Sequence, residues 1–392
     1  FTNHTTKPHK HTFYKMVIVD LQLKTTFEYA KLSAAKQHKV LLMGSVEAPK
    51  YENDEREQRA ACDIIAVIDR SGSMGGEKLD LVKKTLDFMV EQLKNDDNMA
   101  LVTFDTHVET NIGITQMTPA NKEKAKAVFK QLTAGDSTNL SGGLYEGMDL
   151  IKKRTKPNKV VSILLFTDGL ANVGIKDATT IVSGVEKTLQ QLGCACSIFT
   201  FGFGKDHDAN MLTQIANAGN GLYYYIQQED EIPESFANCL GGLLSVVAQN
   251  VKISVEAVQP GVIINRAISS YKKGAEEQDK KIELILGDMY SEEKRDVLFE
   301  VTLPLVEKQS DQEEQSFEPV KVSLSYFNVV TPGLIDHSAM ATIVRSFANV
   351  PEISIEAASP ANAEIDKQRV RIRSVEALAQ ARELANKNDI AQ

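Results

Sequence analysis

Oxygen-bearing side chains are grouped at the end of one apolar run, in the segment AVIDRSGSM. Asp69, Ser71 and Ser73 stand at alternate positions there, just before a helical pattern that begins near Glu77. A hard cation such as Mg²⁺ takes an octahedron of oxygen ligands and seldom receives all of them from the protein. One carboxylate and two hydroxyls from a short loop are compact ligands that can converge on a single ion. The segment therefore predicts part of a divalent-cation site.

Two more segments carry side chains of the same kind in comparable positions. The apolar run that ends in LLFTDG delivers Asp168, and Thr138 lies in GDSTNLSGGL ahead of another helical pattern. In a doubly wound sheet, ligands bind outside the carboxyl ends of the strands. We therefore expect Thr138 and Asp168 at the same sheet edge as the first three residues. The expected ion is Mg²⁺, with Mn²⁺ or Ca²⁺ as alternatives.

Each of these residues also has a simpler interpretation when it is taken alone. A serine after a strand, such as Ser73, most often caps the following helix, and an Asp-Gly pair such as the one at Asp168 is most often a turn. One shared site explains all five residues, whereas independent local roles do so only by coincidence. Gly142 and Gly143 are interpreted as close-packing or turn residues rather than as a phosphate-binding loop.

The elements that must position these residues alternate between short apolar runs and amphipathic segments. This alternation is typical of a mostly parallel, doubly wound α/β sheet with helices on both faces. The predicted strands are 64–68, 99–104, 160–166 and 196–203, with 222–226 at an edge. The predicted helices begin near residue 77 and then cover 122–132, 140–151, 178–192 and 209–218.

Alternating apolar segments on both sides of this unit predict an antiparallel, β-sandwich-like domain. Two strands, 17–23 and 40–46, precede the α/β unit, and two strands alone are barely stable. We therefore expect them to join the later strands, which makes the α/β unit an insertion. The later predicted strands are 251–255, 281–286, 297–303, 320–327 and 339–344.

A C-terminal helix is predicted over 363–386, which lacks Gly and Pro and carries a stripe of Ile372, Val375, Leu378 and Ala379. The predicted organisation is a flexible N-terminus at 1–13, N-terminal β strands at 14–60, the α/β domain at 61–248, the β-sandwich-like domain at 249–350 and the C-terminal helix at 362–388.

The order of the motifs resembles a known family. D-x-S-x-S at Asp69, a later T-N-L at Thr138, T-D-G at Asp168 and FGFG at 201–204 are similar to the von Willebrand factor type A (VWA) domain and its metal-ion-dependent adhesion site. The resemblance implies that Ser71 and Ser73 bind the ion directly, while Asp69, Thr138 and Asp168 bind it directly or through water. It also implies an open position for a carboxylate from another protein.

The resemblance extends beyond this domain. The segment 285–304 and the terminal RVRIRSVEALAQARELANKND are similar to plant VWA-RING ubiquitin ligases and to Hint-type eukaryotic relatives. With four cysteines and no C-x-x-C spacing, this chain cannot build a RING, so ligase activity is not carried over. Asp136 stands where relatives often have glycine, and we expect its side chain to point to solvent.

The composition of the chain argues against some classes of binding partner. A net charge of −9 without a dense basic run argues against nucleic acid, and no apolar run approaches the length that spans a membrane. The four cysteines, Cys62, Cys194, Cys196 and Cys239, lie in predicted strands or a helix, which favours a reducing, intracellular compartment. Cys194 and Cys196 are expected as buried thiols on one face of a strand.

An enzyme is the main competing class, because such sheets also host nucleotide-binding and hydrolytic chemistry. No G-x-G-x-x-G or Walker pattern follows the first strand of the unit, and no G-x-S-x-G elbow is present. His107 and His207 are expected to be surface residues rather than a catalytic base. We predict a cation-dependent interaction module and no enzyme. The alternatives are a metal-stabilised structural component of a larger assembly and a Mg²⁺-dependent hydrolase.

Overall fold

Three β-sheets and seven α-helices make up the described part of the chain. The computed structural model describes residues 20–50, 59–168, 170–205, 207–227, 231–269, 271–308, 312–347 and 360–386. The strands are β1 (Gln22–Phe27), β2 (Lys31–Ser33), β3 (His38–Glu47), β4 (Cys62–Asp69), β5 (Asn98–Phe104), β6 (Val108–Gln116), β7 (Val160–Thr167), β8 (Ser197–Phe203), β9 (Tyr223–Ile226), β10 (Val246–Ala257), β11 (Ile263–Ile268), β12 (Lys272–Glu277), β13 (Lys281–Tyr290), β14 (Lys294–Leu303), β15 (Glu314–Asn328) and β16 (Gly333–Ser346). The helices are α1 (Glu77–Gln92), α2 (Pro119–Gln131), α3 (Leu140–Lys152), α4 (Ala178–Gln191), α5 (Ala209–Ala218), α6 (Ile232–Leu243) and α7 (Ala363–Asn386).

The central sheet has the order β6-β5-β4-β7-β8-β9, and β6 is the strand that runs antiparallel to its neighbour. Every residue of β4, β5, β7 and β8 is buried, because helices cover both faces of the sheet. This confirms the predicted doubly wound α/β fold. β6 was not predicted, because it is a half-exposed edge strand in which polar and apolar residues mix.

The other two sheets form the β-sandwich-like part, with the orders β1-β3-β14-β11 and β12-β13-β10-β15-β16-β2. Their strands pair antiparallel, except that the short β2 runs parallel to β16. The N-terminal strand β3 lies between β1 and β14, with Val46 opposite both Leu23 and Arg295. Strands from before and after the central sheet therefore share one sheet, which confirms that the α/β unit is inserted. Apolar residues of both sheets, among them Leu42, Ile253 and Val322, fill the space between them.

Several strand predictions need correction. The first strand begins at Gln22 and ends at Phe27, later than the predicted 17–23, and residues 17–19 lie outside the described part. The short strand β2 and the two strands β11 and β12 were missed. β2 has three residues, and β12 is a mostly exposed edge strand with the sequence KKGAEE, so neither carries an apolar alternation.

Only the first half of helix α7 packs on a sheet, the one with the order β1-β3-β14-β11. Ile365 is completely buried against β3 and β14, and Ile372 is partly buried beside it. The apolar stripe does not pack on the sheet beyond that point, because Val375 and Leu378 are 57% and 65% exposed. The side chain of Ala379 lies outside the described set. No helix in the described ranges is long and apolar enough to cross a membrane.

A buried carboxylate joins the central sheet to the sandwich. Asp288 on β13 accepts hydrogen bonds from the hydroxyl of Ser197 (3.0 Å) and from the backbone N–H of Asn250 (3.2 Å). Burial raises the pKa of Asp288, and these hydrogen bonds act against the rise. The two parts of the protein therefore meet through a polar contact around a buried carboxylate.

Candidate metal centre

Two loops at the carboxyl edge of the central sheet are fastened to each other by backbone hydrogen bonds. The loop after β4 meets the loop between α2 and α3, since Gly72 N–H donates to the carbonyl of Asp136 (2.9 Å) and Gly135 N–H donates to that of Arg70 (2.6 Å). Strand β4 is flanked by β5 and β7. Side chains from several loops therefore converge at this edge, as predicted for a doubly wound sheet.

Asp69 ends β4 and is completely buried. One of its oxygens accepts the backbone N–H of Ser71 at 2.7 Å, and the other accepts the hydroxyl of Thr167 at 2.5 Å. Burial raises the pKa of Asp69 to about 6, with these hydrogen bonds opposing the rise and the charge of Asp168 adding to it. Asp69 thus orders the turn that carries the two serines.

Ser71, Ser73 and Asp168 form a continuous chain of oxygen atoms. The two serine hydroxyl oxygens are 3.2 Å apart, and the Ser73 hydroxyl donates to Asp168 Oδ1 at 2.7 Å. Asp168 follows β7 directly, while both serines come from the loop after β4. Two adjacent strands therefore supply this cluster.

Thr138 is fixed at the same edge by its backbone. Its N–H donates to the side-chain oxygen of Asn172 (2.8 Å), and its carbonyl accepts the N–H groups of Asn172 (3.1 Å) and Val173 (3.2 Å). Its hydroxyl makes no hydrogen bond within the described ranges, so it is not joined to the serine–aspartate cluster. The residue is buried and precedes α3.

The local alternative for Ser73 is wrong, and the alternative for Asp168 involves residue 169, which lies outside the described residues. The residue before α1 is Gly76, with φ of 83°, and no side chain caps that helix. Ser73 instead lies within a single 3₁₀ turn, Gly72–Met74. The Asp168 side chain bonds across to Ser73 and Lys78.

Lys78 is a residue of this site that sequence reasoning missed. Its ammonium donates to Asp168 Oδ2 at 2.5 Å and lies 3.4 Å from the carbonyl oxygen of Ser73. A lysine in the first turn of a helix is unfavourable, because the N-terminal end of the helix dipole is positive. This unusual position beside the D-x-S-x-S motif is the signal that could have identified Lys78 as a site residue. Thr167 and Asn172 were also missed, because hydroxyl and amide side chains beside a motif carry no distinctive spacing.

The chemistry of these donors fits a small divalent cation. Ligands about 2.1 Å from Mg²⁺ at neighbouring corners of an octahedron lie about 3 Å apart. The observed oxygen separations, 3.2 Å between the serines and 2.7 Å from Ser73 to Asp168, lie on either side of that value. No group of three His, Cys, Asp or Glu residues suited to a metal occurs in the described ranges, so a site here depends on hydroxyl oxygens.

The structure also determines the exposure of Asp168 and of three side chains that were expected at the surface. The side chain of Asp168 is only 1% exposed, because Ser73 and Lys78 cover it. His207 was expected at the surface but is buried, with its ring nitrogens 2.7 Å from the carbonyl of Gly204 and 2.6 Å from the hydroxyl of Tyr223. His107 and Asp136 are exposed, as expected.

The glycine and cysteine predictions also have clear outcomes. A Cβ on Gly143 would come within 2.4 Å of the Phe104 ring, which confirms close packing of α3 on the sheet. All four cysteines are free. Cys194 and Cys196 precede β8, which begins at Ser197, so they do not share the face of a strand; Cys196 is buried and Cys194 is partly exposed.

The comparisons with known proteins agree with this architecture. The family model of the von Willebrand factor type A domain matches residues 63–238. The uncharacterized protein YfbK of Escherichia coli is 31% identical over 250 residues, which is 63% of this chain and 43% of that protein. Inter-alpha-trypsin inhibitor heavy chain H3 of Mus musculus is 31% identical over 53% of this chain and 23% of its own length. E3 ubiquitin-protein ligase WAV3 of Arabidopsis thaliana is 27% identical over 63% of this chain and 32% of its own length.

Two solved structures share the fold. The von Willebrand factor type A protein from Catenulispora acidiphila has a TM-score of 0.63 at 15% identity and covers 86% of this chain and 75% of its own. The ArnB paralog VWA2 from Sulfolobus acidocaldarius has a TM-score of 0.52 at 16% identity and covers 86% and 78%. The chain spans less than half the length of each of the three curated relatives described above.

Residues 63–238 are therefore a von Willebrand factor type A domain, carried by a chain that also contains an antiparallel β-sandwich-like part and a C-terminal helix. Domains of this family generally mediate metal-dependent protein interactions, and they often bind a divalent cation at a metal-ion-dependent adhesion site.

Proposed function

We propose that this protein binds another protein through a divalent cation at the carboxyl edge of its VWA domain. Asp69, Ser71, Ser73, Thr138 and Asp168 hold the ion, which is Mg²⁺, Mn²⁺ or Ca²⁺. A carboxylate of the partner completes its coordination. The observation that supports this most directly is the chain of oxygens from Ser71 through Ser73 to Asp168, with spacings near those of neighbouring octahedral ligands.

The charge of the site explains why an acidic partner suits it. Only Asp69 and Asp168 among the five proposed ligands carry a formal charge, and Asp168 is already paired with Lys78. The other three proposed ligands are neutral hydroxyls, so a divalent ion held there can still take a charged ligand from outside. Ser73 is exposed, so the ion is reachable from solvent, and an incoming carboxylate replaces a water with a charged ligand.

A binding role suits the geometry better than catalysis. A serine nucleophile needs a base within hydrogen-bond reach, and the buried His207 is occupied on both ring nitrogens by Gly204 and Tyr223. Hydrolysis of phosphorylated substrates that depends on Mg²⁺ and disappears in Asp69→Ala would overturn this point.

We further propose an intracellular location, because the four cysteines are all free.

The metal site is tested by titrating Mg²⁺ and Mn²⁺ calorimetrically into the protein. Combined Asp69→Ala and Ser71→Ala substitution should abolish binding, and Ser73→Ala should weaken it without touching a buried residue. Asp149→Ala combined with Ser374→Ala removes the same residue types from remote surfaces and should leave binding unchanged. Unchanged affinity in the Asp69–Ser71 variant, with its fold verified by circular dichroism, would remove the site.

The partner is tested by affinity capture with and without EDTA, followed by mass spectrometry. Capture should require both the cation and intact Asp69. Capture that persists in EDTA and in Asp69→Ala would move the interface to the β-sandwich-like part or to α7. Capture that persists in EDTA from a protein that does bind the cation would instead support a structural ion within a larger assembly.

A further inference from the structure

Lys78 brings a positive charge to the place where a cation would bind. The residue lies in the first turn of α1, and its ammonium contacts Asp168 Oδ2 at 2.5 Å and the Ser73 carbonyl at 3.4 Å. The Asp168 side chain is 1% exposed, whereas that of Lys78 is 30% exposed. The carboxylate is therefore held in place, while the lysine has a route to solvent.

The ion pair between Lys78 and Asp168 places a positive charge at an unfavourable position in α1. A cation in the first turn of a helix is repelled by the positive end of the helix dipole. A buried carboxylate without a counter-charge is costlier still, because burial disfavours an isolated charge. The attraction of Asp168 therefore outweighs the dipole and draws Lys78 into the site.

A divalent cation bound by Ser73 and Asp168 would lie only a few ångströms from this ammonium. The two positive charges repel strongly at such a separation, and both depend on the same carboxylate. The lysine side chain is long and flexible, so its ammonium can swing to solvent when another cation neutralises Asp168.

We propose that Lys78 is a tethered competitor of the divalent cation: it occupies Asp168 until the ion binds, and it is released to solvent when the ion does. This inference rests on the proposed metal site and adds a regulation to it. Lys78 thereby sets how much free cation the protein needs before it can bind its partner. The opposite role, in which Lys78 orients Asp168 and assists the ion, predicts the opposite change in affinity.

The first experiment compares the Mg²⁺ and Mn²⁺ affinities of the wild type, Lys78→Met and Lys78→Arg by calorimetry. Lys78→Met keeps the length of the side chain and removes its charge, so affinity should rise by about tenfold or more. Lys78→Arg keeps the charge and should stay near the wild type. Equal or weaker binding by Lys78→Met, in a protein whose wild type binds the ion, would overturn the competition and leave the proposed site standing. Absence of binding in all three proteins would overturn both.

The second experiment measures release directly by acylating lysines and quantifying each site by mass spectrometry. Lys78 should be protected in EDTA and should become several-fold more reactive when Mg²⁺ saturates the protein. Lys153, which is 58% exposed on the distant end of α3, serves as an internal reference that should not change. The Asp69→Ala, Ser71→Ala protein should show no response to Mg²⁺. Lys78 reactivity that stays constant while the wild type binds Mg²⁺ would show that the ammonium is not displaced.

Discussion

Thr138 is the proposed ligand whose backbone and side chain have separable roles. Its N–H and carbonyl fasten the loop to Asn172 and Val173, and its hydroxyl makes no hydrogen bond within the described ranges. A change confined to the hydroxyl should therefore spare the fold. The other proposed ligands do not allow this separation as cleanly, because Ser73 and Asp168 are bonded to each other.

Thr138→Val replaces the hydroxyl with a methyl group of similar shape. We expect the free energy of unfolding to change by less than about 1 kcal/mol, because no hydrogen bond is lost. Affinity for Mg²⁺ should fall by about tenfold or more. Thr138→Ser, which keeps the hydroxyl, should bind close to the wild type. Calorimetry and urea unfolding of the two variants measure both effects, and equal metal affinities would remove Thr138 from the site.

At the scale of the elements, helix α3 begins two residues after Thr138 and fixes the end of the loop that holds it. The distance between α3 and the sheet depends on Gly143. A Cβ there would lie 2.4 Å from one carbon of the buried Phe104 ring at the end of β5. The ring cannot move freely, because it is completely buried. By contrast, a Cβ on Gly241 in α6 would meet no atom within 4 Å.

Gly143→Ala should destabilise the protein by about 1–3 kcal/mol, because it overpacks the contact between α3 and β5. Gly241→Ala should stabilise it by up to about 1 kcal/mol, because alanine favours the helix and restricts the unfolded chain. Urea unfolding of both variants provides the comparison. Equal effects of the two substitutions would mean that α3 is not held at this distance by Gly143.

At the scale of the whole molecule, Asp288 ties the central sheet to the sandwich and makes stability depend on pH. Its pKa is raised above the unfolded value, mainly by burial. Well below the unfolded pKa the carboxyl is neutral in both states. As the pH rises towards the folded pKa, the unfolded chain ionises first, so the free energy of unfolding falls by up to about 1.4 kcal/mol per pH unit.

Asp288→Asn should therefore reduce the fall in stability above about pH 4, because the amide cannot ionise. The part of the fall that comes from Asp69, whose pKa is raised to about 6, should remain. The measurement is urea unfolding over a series of pH values. Asp336→Asn, a change at an exposed position on β16, should leave the wild-type profile unchanged. A wild-type slope that survives in Asp288→Asn would assign the pH dependence to other groups.

The shared sheet makes a prediction about truncation. Deletion of residues 1–50 removes β1, β2 and β3, so β14 loses a neighbour and the apolar residues opposite Leu42 and Val46 are uncovered. The β-sandwich-like part should then lose its cooperative unfolding. Deletion of residues 1–19 retains every described strand and should be tolerated. Scanning calorimetry distinguishes these outcomes, and a 51–392 protein with the full unfolding enthalpy would contradict the shared sheet.

Patterns within single segments were enough to predict most of this architecture. Strands buried on both faces are continuous apolar runs, and amphipathic helices repeat every three to four residues, so β4, β7 and α3 could be read directly. The positions of Asp69, Thr138 and Asp168 after strands or before a helix also predicted that they lie at one edge of the sheet, whereas their role as metal ligands stays a prediction. Strands that lack such a pattern, such as β6 and β12, could not be predicted, because each is a largely exposed edge strand with no apolar alternation of its own.

The tertiary structure alone decided how these side chains meet. No spacing predicts that Lys78 reaches Asp168 across 90 positions, or that this contact leaves the carboxylate nearly inaccessible. The same holds for α7, where the sequence predicts the helix but not that Ile365 is buried while Leu378 remains exposed. Local propensity determines which residues form an element, whereas burial and pairing depend on what the rest of the chain places beside it.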